Sequence, residues 1–421
     1  MSQEERKISF GERGGDDRLW TRELAAVLSA GGAFGFSSSV FYLLPKFLTE
    51  MKAGAAAIGL TNAAYGVATV AVTPLIAACI DRSPRVVWLR VGAALMLVSS
   101  LAFVGVDACG LRLLVLRALQ GAAFGFFFTG LSALITELAP PRRFSEAFGL
   151  AGGSMLIMNA VAPAVVEPVA AAFGWDRGFI AAAVAAALAL AIACALPSVV
   201  PPRPSASRMG SGNLLRHKRT QHYALVTGAV GAAFGVMFTY PQPYALELGM
   251  TSVRGFFIAY CSFALAARLV LGPFTDRLGR FPVAVAALNL YTLVVLATAG
   301  LRPGMLEPLG ALMGLAHGLF FPAFNAIVIE ATRPDARGRM VTIFTAAFYG
   351  GSALGTLPLG LLAQAVGYAW VFVVGAALTF VAGGVLLFSR ELGARSPRGA
   401  EADAAVPLPV VRRQYSSNAG Q

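Results

Sequence analysis

The stretch VVWLRVGAALMLVSSLAFVGV, Val86 to Val106, holds one charge, Arg90, in a run long enough to cross a lipid bilayer. A spanning helix needs about 20 mostly apolar residues, because the hydrocarbon layer is about 30 Å thick. RGFIAAAVAAALALAIACALP, Arg177 to Pro197, reads the same way. Both blocks are too long and too uniformly apolar for ordinary core helices. The short alternating segments of a membrane barrel are missing. Working outward, apolar blocks between polar breaks give twelve spans, at 24–47, 57–80, 86–106, 111–134, 147–172, 177–196, 223–246, 253–274, 282–301, 306–330, 340–366 and 369–389. The predicted fold is an all-α membrane protein of twelve transmembrane helices.

Composition agrees with that reading. The 421 residues are 57% hydrophobic and 13% charged, against about 25% charged in an average soluble domain. Four cysteines (Cys79, Cys109, Cys194, Cys261) lie far apart, with no metal-ligand spacing, and are expected to be buried, inert thiols. Neither a metal site nor a cofactor is expected. The polar segment 1–23 lacks the pattern of a cleaved signal peptide, so the first span is expected to stay as an anchor. Residues 24–196 and 223–390 are expected to form two six-helix bundles. The Pro-, Ser- and Arg-rich stretch 197–222 links them, and 391–421 reads as a disordered tail.

Charge sets the expected orientation. Lys and Arg concentrate in the two termini, in the linker and in every second loop, as at Arg82 and Arg85 or Arg277 and Arg280. Basic residues are retained on the cytoplasmic side during insertion, which places both termini and the linker there, in a cytoplasmic (inner) membrane. The net charge of +12 is accounted for by this bias, with anionic lipid headgroups as counter-charge. No nucleic-acid partner is needed.

The chain repeats itself. AACIDRSPR after span 2 matches GPFTDRLGR after span 8, with Asp81 on Asp276 and Arg85 on Arg280. LQGAAFGFFFTGLSALITEL in span 4 matches LMGLAHGLFFPAFNAIVIEA in span 10, with Gly121 on Gly314, Gly125 on Gly318 and Glu137 on Glu330. FGWDRGF, Phe173 to Phe179, pairs with VGYAWVF, Val366 to Phe372. Two such halves in one orientation form a parallel repeat, and transporters of that kind hold substrate near the midplane between halves.

Over Leu24 to Arg390 the chain resembles the major facilitator superfamily. GPFTDRLGR matches that family's G-x-x-x-D-R-x-G-R/K loop through Gly272, Asp276, Arg277, Gly279 and Arg280. The first-half copy has Ala77 and Pro84 where the motif has glycine. RALQG, with Arg117, Gln120 and Gly121, is similar to the family's second motif. GGSMLIMNAVAPAVVE in span 5 is loosely similar to the antiporter motif, with Ala162-Pro163 in place of Gly-Pro and Glu167 in place of a later glycine. The resemblance implies a secondary transporter of the drug/proton antiporter type, working by alternating access, with spans 1, 4, 7 and 10 around the cavity.

The paired loop charges, Asp81, Arg82 and Arg85 with Glu137 and Arg142, and Asp276, Arg277 and Arg280 with Glu330 and Arg337, are expected to form a cytoplasmic gate. Exposed pairs are worth only about 0–1 kcal/mol each, which suits a latch that must open. The competing reading is that these charges are solvated and only orient insertion.

Arg117 lies inside span 4, where an unpartnered charge costs at least about 2.5–3.5 kcal/mol. Gln120 and Phe124 share its helical face. Glu167 in span 5 stands at a similar depth, so Arg117 and Glu167 are expected to meet across the cavity, protonation of Glu167 driving substrate release. The plainer reading is that Glu167 reaches the outer interface. His317 in span 10 is a second protonation candidate; a histidine hydrogen-bonded between helices is the plainer account. Arg268 is expected to anchor neighbouring carbonyls or loop carboxylates.

Glycines spaced by four (Gly310, Gly314 and Gly318; Gly31 and Gly35; Gly351 and Gly355) are expected helix-packing sites. Pro241 and Pro243 should break span 7 near its outer end, with Tyr240, Gln242 and Tyr244 as an outer gate. The expected cavity lining is Phe34, Ser38, Tyr42, Phe124, Phe128, Met237, Tyr240, His317 and Phe321, an aromatic mix suited to an amphipathic cargo.

ATP-driven transport lacks its phosphate loop, since no lysine stands in a G-K-[ST] context. No H-E-x-x-H or G-x-S-x-G lies in the spans, so an enzyme is not expected. The alternatives left open are uptake by symport of a small organic solute or acid and a non-transporting sensor of the same fold. The partners expected are a small-molecule substrate, protons and the bilayer, with one chain functional as a monomer.

Overall fold

A computed structural model of the protein describes residues 19–79, 83–140, 143–198, 217–272, 277–332 and 336–394. These form helices and, among the described residues, no strand. Twelve of the helices are long and apolar enough to cross a membrane. They are α1 (Arg22–Glu50), α2 (Ala55–Cys79), α3 (Arg85–Ala102), α4 (Leu111–Leu138), α5 (Phe144–Phe173), α6 (Trp175–Ala195), α7 (Lys218–Glu247), α8 (Arg254–Leu271), α9 (Arg280–Thr298), α10 (Leu306–Glu330), α11 (Arg337–Val366) and α12 (Tyr368–Ala394). The described chain starts and ends at one face, termed here the terminal face; the opposite one is the far face.

Both halves pack by one scheme. In the first, α1 lies on α5 and α6, α4 on α2 and α3, and α3 on α6; in the second, α7 lies on α11 and α12, α10 on α8 and α9, and α9 on α12. This is the sequence repeat expressed as packing. Two helix pairs, α2 with α11 and α5 with α8, form the main seams between the halves, and α7 also meets α1 and α2. The turns obey the repeat as well. Gly174 (φ 85°) separates α5 from α6 and Gly367 (φ 92°) separates α11 from α12, a backbone setting that only glycine adopts without strain.

Small residues let these helices approach. A Cβ at Gly310, Gly314 or Gly318 of α10 would overlap the α8 backbone carbonyls of Phe256, Tyr260 or Ala264. One at Gly351 of α11 would overlap the Gly228 carbonyl of α7. Gly31 and Gly35 of α1 meet only ordinary contacts, with Leu131, Met155 and Met158, so the stripe expected there is looser.

The outward-facing surface is apolar. Leu75, Val98, Val115, Val184, Leu354 and Phe380 are all more than half exposed, and an apolar belt of this kind marks a surface that meets lipid. Cys79, Cys109 and Cys194 lie exposed while Cys261 is buried. The expectation that the thiols are buried is therefore corrected for three of the four, because their helix faces and loop point away from the bundle core.

Candidate functional site

Charged and polar side chains gather at three levels between the halves, beginning at the far face. After Val40, α1 tightens into a 3₁₀ turn, Phe41–Leu43, and resumes at Leu44–Glu50 with Pro45 in its first turn. This offset carries Lys46 inward, where it is 5% exposed. Its Nζ donates to Glu167 Oε1 of α5 at 2.5 Å and to the Thr251 carbonyl of the loop before α8 at 2.5 Å. Glu167 is itself 4% exposed. It accepts from Ser252 Oγ at 3.0 Å and from the backbone N–H groups of Val253 and Arg254 at 2.8 and 2.7 Å. Those amides open α8 and have no partner within their own helix. A carboxylate from the first half therefore caps a helix of the second, where the helix dipole favours negative charge.

α7 makes the matching contact from the other side. It stops at Thr239 and resumes at Pro241–Glu247, the break expected from Pro241 and Pro243. Gln242 Nε2 donates to the Tyr42 carbonyl of α1 at 2.7 Å. The Tyr240 hydroxyl donates to the Thr356 carbonyl, and Tyr244 donates to the Ala299 carbonyl at 3.1 Å. The Tyr42 ring meets Phe238 edge-on, centroids 5.1 Å apart, and lies parallel to Phe257 at 6.1 Å.

One level deeper, Arg117 is 6% exposed and Gln120 1% exposed. Arg117 donates to Gln120 Oε1 at 2.8 Å and to Asn62 Oδ1 of α2 at 3.0 Å. Its guanidinium lies 4.8 Å from the centroid of Tyr65, a cation–π contact. Asn62 Nδ2 reaches across the halves to Thr239 Oγ1 at 3.1 Å. The expected meeting of Arg117 with Glu167 is thus overturned in this conformation. Glu167 is committed to Lys46 and to the start of α8, and Arg117 holds neutral partners. Sequence reasoning passed over Lys46, Asn62 and Tyr65. The signal available was the parallel break in the two helices, which gives α1 and α7 matching second segments, Leu44–Glu50 and Pro241–Glu247.

Beside Arg117 runs an aromatic row. Phe124 stacks on Phe128 at 5.5 Å and meets Tyr65 at 6.0 Å and Tyr349 of α11 at 5.4 Å. In the second half, His317 lies parallel to Phe321 at 5.3 Å and edge-on to Phe234 at 5.3 Å and Tyr260 at 5.9 Å. Its Nδ1 has no hydrogen-bond partner, so rings rather than an interhelical hydrogen bond surround it. Arg268 sits in a π-helical turn, Ala267–Leu271, and its Nε has no partner. Such turns recur at functional sites, and the expected anchoring to neighbouring carbonyls or carboxylates is not formed through that atom.

The lining expectation needs correction at three positions. Phe34 is fully buried and stacks on Phe127 at 3.9 Å inside the first half. Met237 accepts from Thr298 Oγ1 at 3.6 Å inside the second. Tyr240 is fully buried on Thr356. Their rings and thioether fill helix seams. Of the others, Tyr42 and Phe124 touch rings of the opposite half, Phe257 and Tyr349, whereas Phe128 stacks on Phe124 and Phe321 on His317 within their own halves.

At the terminal face Arg85 Nε pairs with Glu137 Oε1 at 2.9 Å, and Arg280 pairs with Glu330. Each pair ties neighbouring helices of one half, α3 to α4 and α9 to α10, and so does not itself bind the halves together. Gly279, at φ 88°, starts α9, and Gly272 ends the described part of α8. Asp81, Arg82, Arg142, Asp276 and the side chain of Arg337 lie outside the described residues. Arg277 is engaged by a neighbour. The hydrogen bonds and ion pairs named above that join the halves lie between mid-depth and the far face.

The family model for the Major Facilitator Superfamily matches residues 25–306 and 255–419. The chain belongs to the Major Facilitator Superfamily. It is a multi-pass membrane protein of that family's twelve-helix kind. Among curated proteins, it is 27% identical over 155 residues to the purine ribonucleoside efflux pump NepI of Shigella sonnei (strain Ss046) and 26% identical over the same length to NepI of Escherichia coli (strain K12). Those matches cover 37% of this chain and 39% of each relative's length. Among solved structures, the nucleoside transporter NupG superposes with a TM-score of 0.70 at 15% identity, covering 87% of this chain and 98% of NupG. A POT family transporter in complex with 5-aminolevulinic acid does so with 0.74 at 13% identity, covering 91% and 98%. At such identities the two structures speak for the fold.

Proposed function

We propose that this superfamily member is a proton-coupled secondary active transporter that works by alternating access and exports a small amphipathic molecule, as drug/proton antiporters do. The observation that carries the reading is the far-face network, in which one titratable carboxylate, Glu167, joins Lys46 to the start of α8. Adding a proton to Glu167 removes the charge that Lys46 and the α8 N-terminus share. The halves are then released at that face and can rock about the α2–α11 and α5–α8 seams. The positive-inside bias puts the terminal face, both termini and the linker in the cytoplasm, and the membrane is then the cytoplasmic one. On this reading Arg85, Glu137, Arg280 and Glu330 hold the inner ends of the helix pairs that the neighbouring loop charges would latch. One chain supplies both halves, so a monomer suffices, with substrate, protons and lipid as partners.

Export is favoured over uptake by the relatives named as efflux pumps and by the aromatic row of Phe124, Phe128 and Tyr349, which accepts a flat apolar body. The test is proton movement in proteoliposomes of the purified protein, with an internal pH dye and a panel of amphipathic cations, weak acids, nucleosides and sugars. One compound is expected to discharge an imposed pH gradient, and Glu167→Gln to abolish the effect. Substrate that crosses without proton movement would make the protein a uniporter and defeat the coupling.

A further inference from the structure

Arg117 is buried among neutral partners, Gln120, Asn62 and the Tyr65 face. An unpaired charge at such depth is costly unless something neutralises it. No described residue supplies an anion there. Among the described residues, Asp107 stands in a loop, Asp176 in the first turn of α6, and every Glu in the first or last turns of its helix, Glu167 being the deepest. Glu167 is consumed by Lys46 and the start of α8. Arg117 therefore keeps its charge without a carboxylate.

Gln120 Oε1 and Asn62 Oδ1, the acceptors beside Arg117, are both used by Arg117 itself. What is left is donors. Arg117 Nε and Gln120 Nε2 are buried, unpartnered and one helical turn apart on α4. A site that offers donors and positive charge is complementary to a group that only accepts, and an ionised carboxylate is such a group. Directly along the helix stands Phe124, with Phe128 and Tyr349 beside it.

From this we infer that the cargo is an organic anion, its carboxylate (or equivalent acid group) held by Arg117 Nε and Gln120 Nε2 and its flat apolar body against Phe124 and Tyr349. The inference rests on the transport reading above and deepens it, separating an acidic cargo from an amphipathic cation and from a neutral nucleoside.

The full-length protein in lipid nanodiscs is melted with increasing 1-naphthoate, its neutral isostere 1-naphthamide, 1-naphthylmethylammonium, inosine or chloride, each apparent affinity being read from the rise in Tm. Naphthoate is expected to bind at least about tenfold tighter than naphthamide, the factor a charge-assisted hydrogen bond supplies. Arg117→Gln should erase that gap, Arg117→Lys should keep part of it, and Gln120→Leu should narrow it at unchanged net charge, which serves where Arg117→Gln does not fold. The anion site is overturned if naphthamide, inosine or the ammonium matches naphthoate, if the gap survives in Arg117→Gln, if chloride alone raises Tm, or if no naphthalene compound binds. The proton assay separates the two readings. Naphthoate bound through Arg117 without proton movement sinks the coupling and leaves the anion site; protons moved by inosine or a cation sink the anion site and leave the transport.

Discussion

Glu167 receives donors from two helices and a loop at once: Lys46 Nζ, Ser252 Oγ and two amides at the start of α8. Removing one partner of a buried ion pair leaves an uncompensated charge and costs about 3–5 kcal/mol. The two ends of this pair are not equivalent. Lys46→Met leaves Glu167 still held by Ser252 and the helix amides, whereas Glu167→Gln leaves Lys46 only the longer charge contact to Glu50, at 3.9 Å, and weakens the α8 cap as well. Glu167→Gln is therefore expected to lower the thermal stability of the purified protein more than Lys46→Met does. The double variant should cost less than the two single changes added, by about 1–3 kcal/mol, as contacting groups do in a mutant cycle. Strict additivity in the melting data would mean that the pair contributes nothing. The sequence made Glu167 visible as a charge inside a span, yet it could not choose a partner for it. In the sequence Arg117 and Lys46 both lie within two turns of the far end of their spans, and only the 3₁₀ turn at Phe41–Leu43 swings Lys46 inward.

At the scale of elements, α8 and α10 touch backbone to backbone along Gly310, Gly314 and Gly318. Without water to drive helices together in lipid, such close approach and its dispersion contacts supply the association. Gly314→Val would drive side-chain carbons into the Tyr260 carbonyl, an overpacking that costs about 1–3 kcal/mol or more. Gly384→Val, in a position of α12 with open space around it, should be neutral. Monodisperse yield after detergent extraction and Tm together check the contrast; equal behaviour of the two variants would refute the seam. Span positions, the glycine stripe of α10 and the break of α7 at Pro241 were legible because each is a local pattern: a run of apolar residues, a spacing, a missing N–H. The faces that Phe34 and Met237 present were not. Hydrophobic periodicity is nearly flat when lipid and protein core are both apolar, so cavity-facing and seam-filling rings look alike until neighbours are known.

For the molecule as a whole, the decisive feature is where the two halves are tied. The polar ties seen between them include a set that runs from Asn62–Thr239 at mid-depth to Lys46–Thr251 at the far face. A carrier that rocks about its midplane must break the far-face set to turn over and must leave it intact when it faces the other way. Position 54 offers a way to fix that state. A side-chain carbon at Gly54, in the turn before α2, would lie 3.4 Å from the Gln364 side chain of α11. A Gly54→Cys/Gln364→Cys pair, in a chain whose four native cysteines are replaced by serine, can be bridged across the halves by a short bis-methanethiosulfonate, which forms a reducible disulfide at each cysteine. Bridging is expected to stop transport in proteoliposomes while binding measured from the terminal face persists, and reduction to restore turnover. Each single variant should transport under both conditions. Full transport with the bridge quantitatively formed would show that the far face need not open, and alternating access by separation of these halves would fall with it.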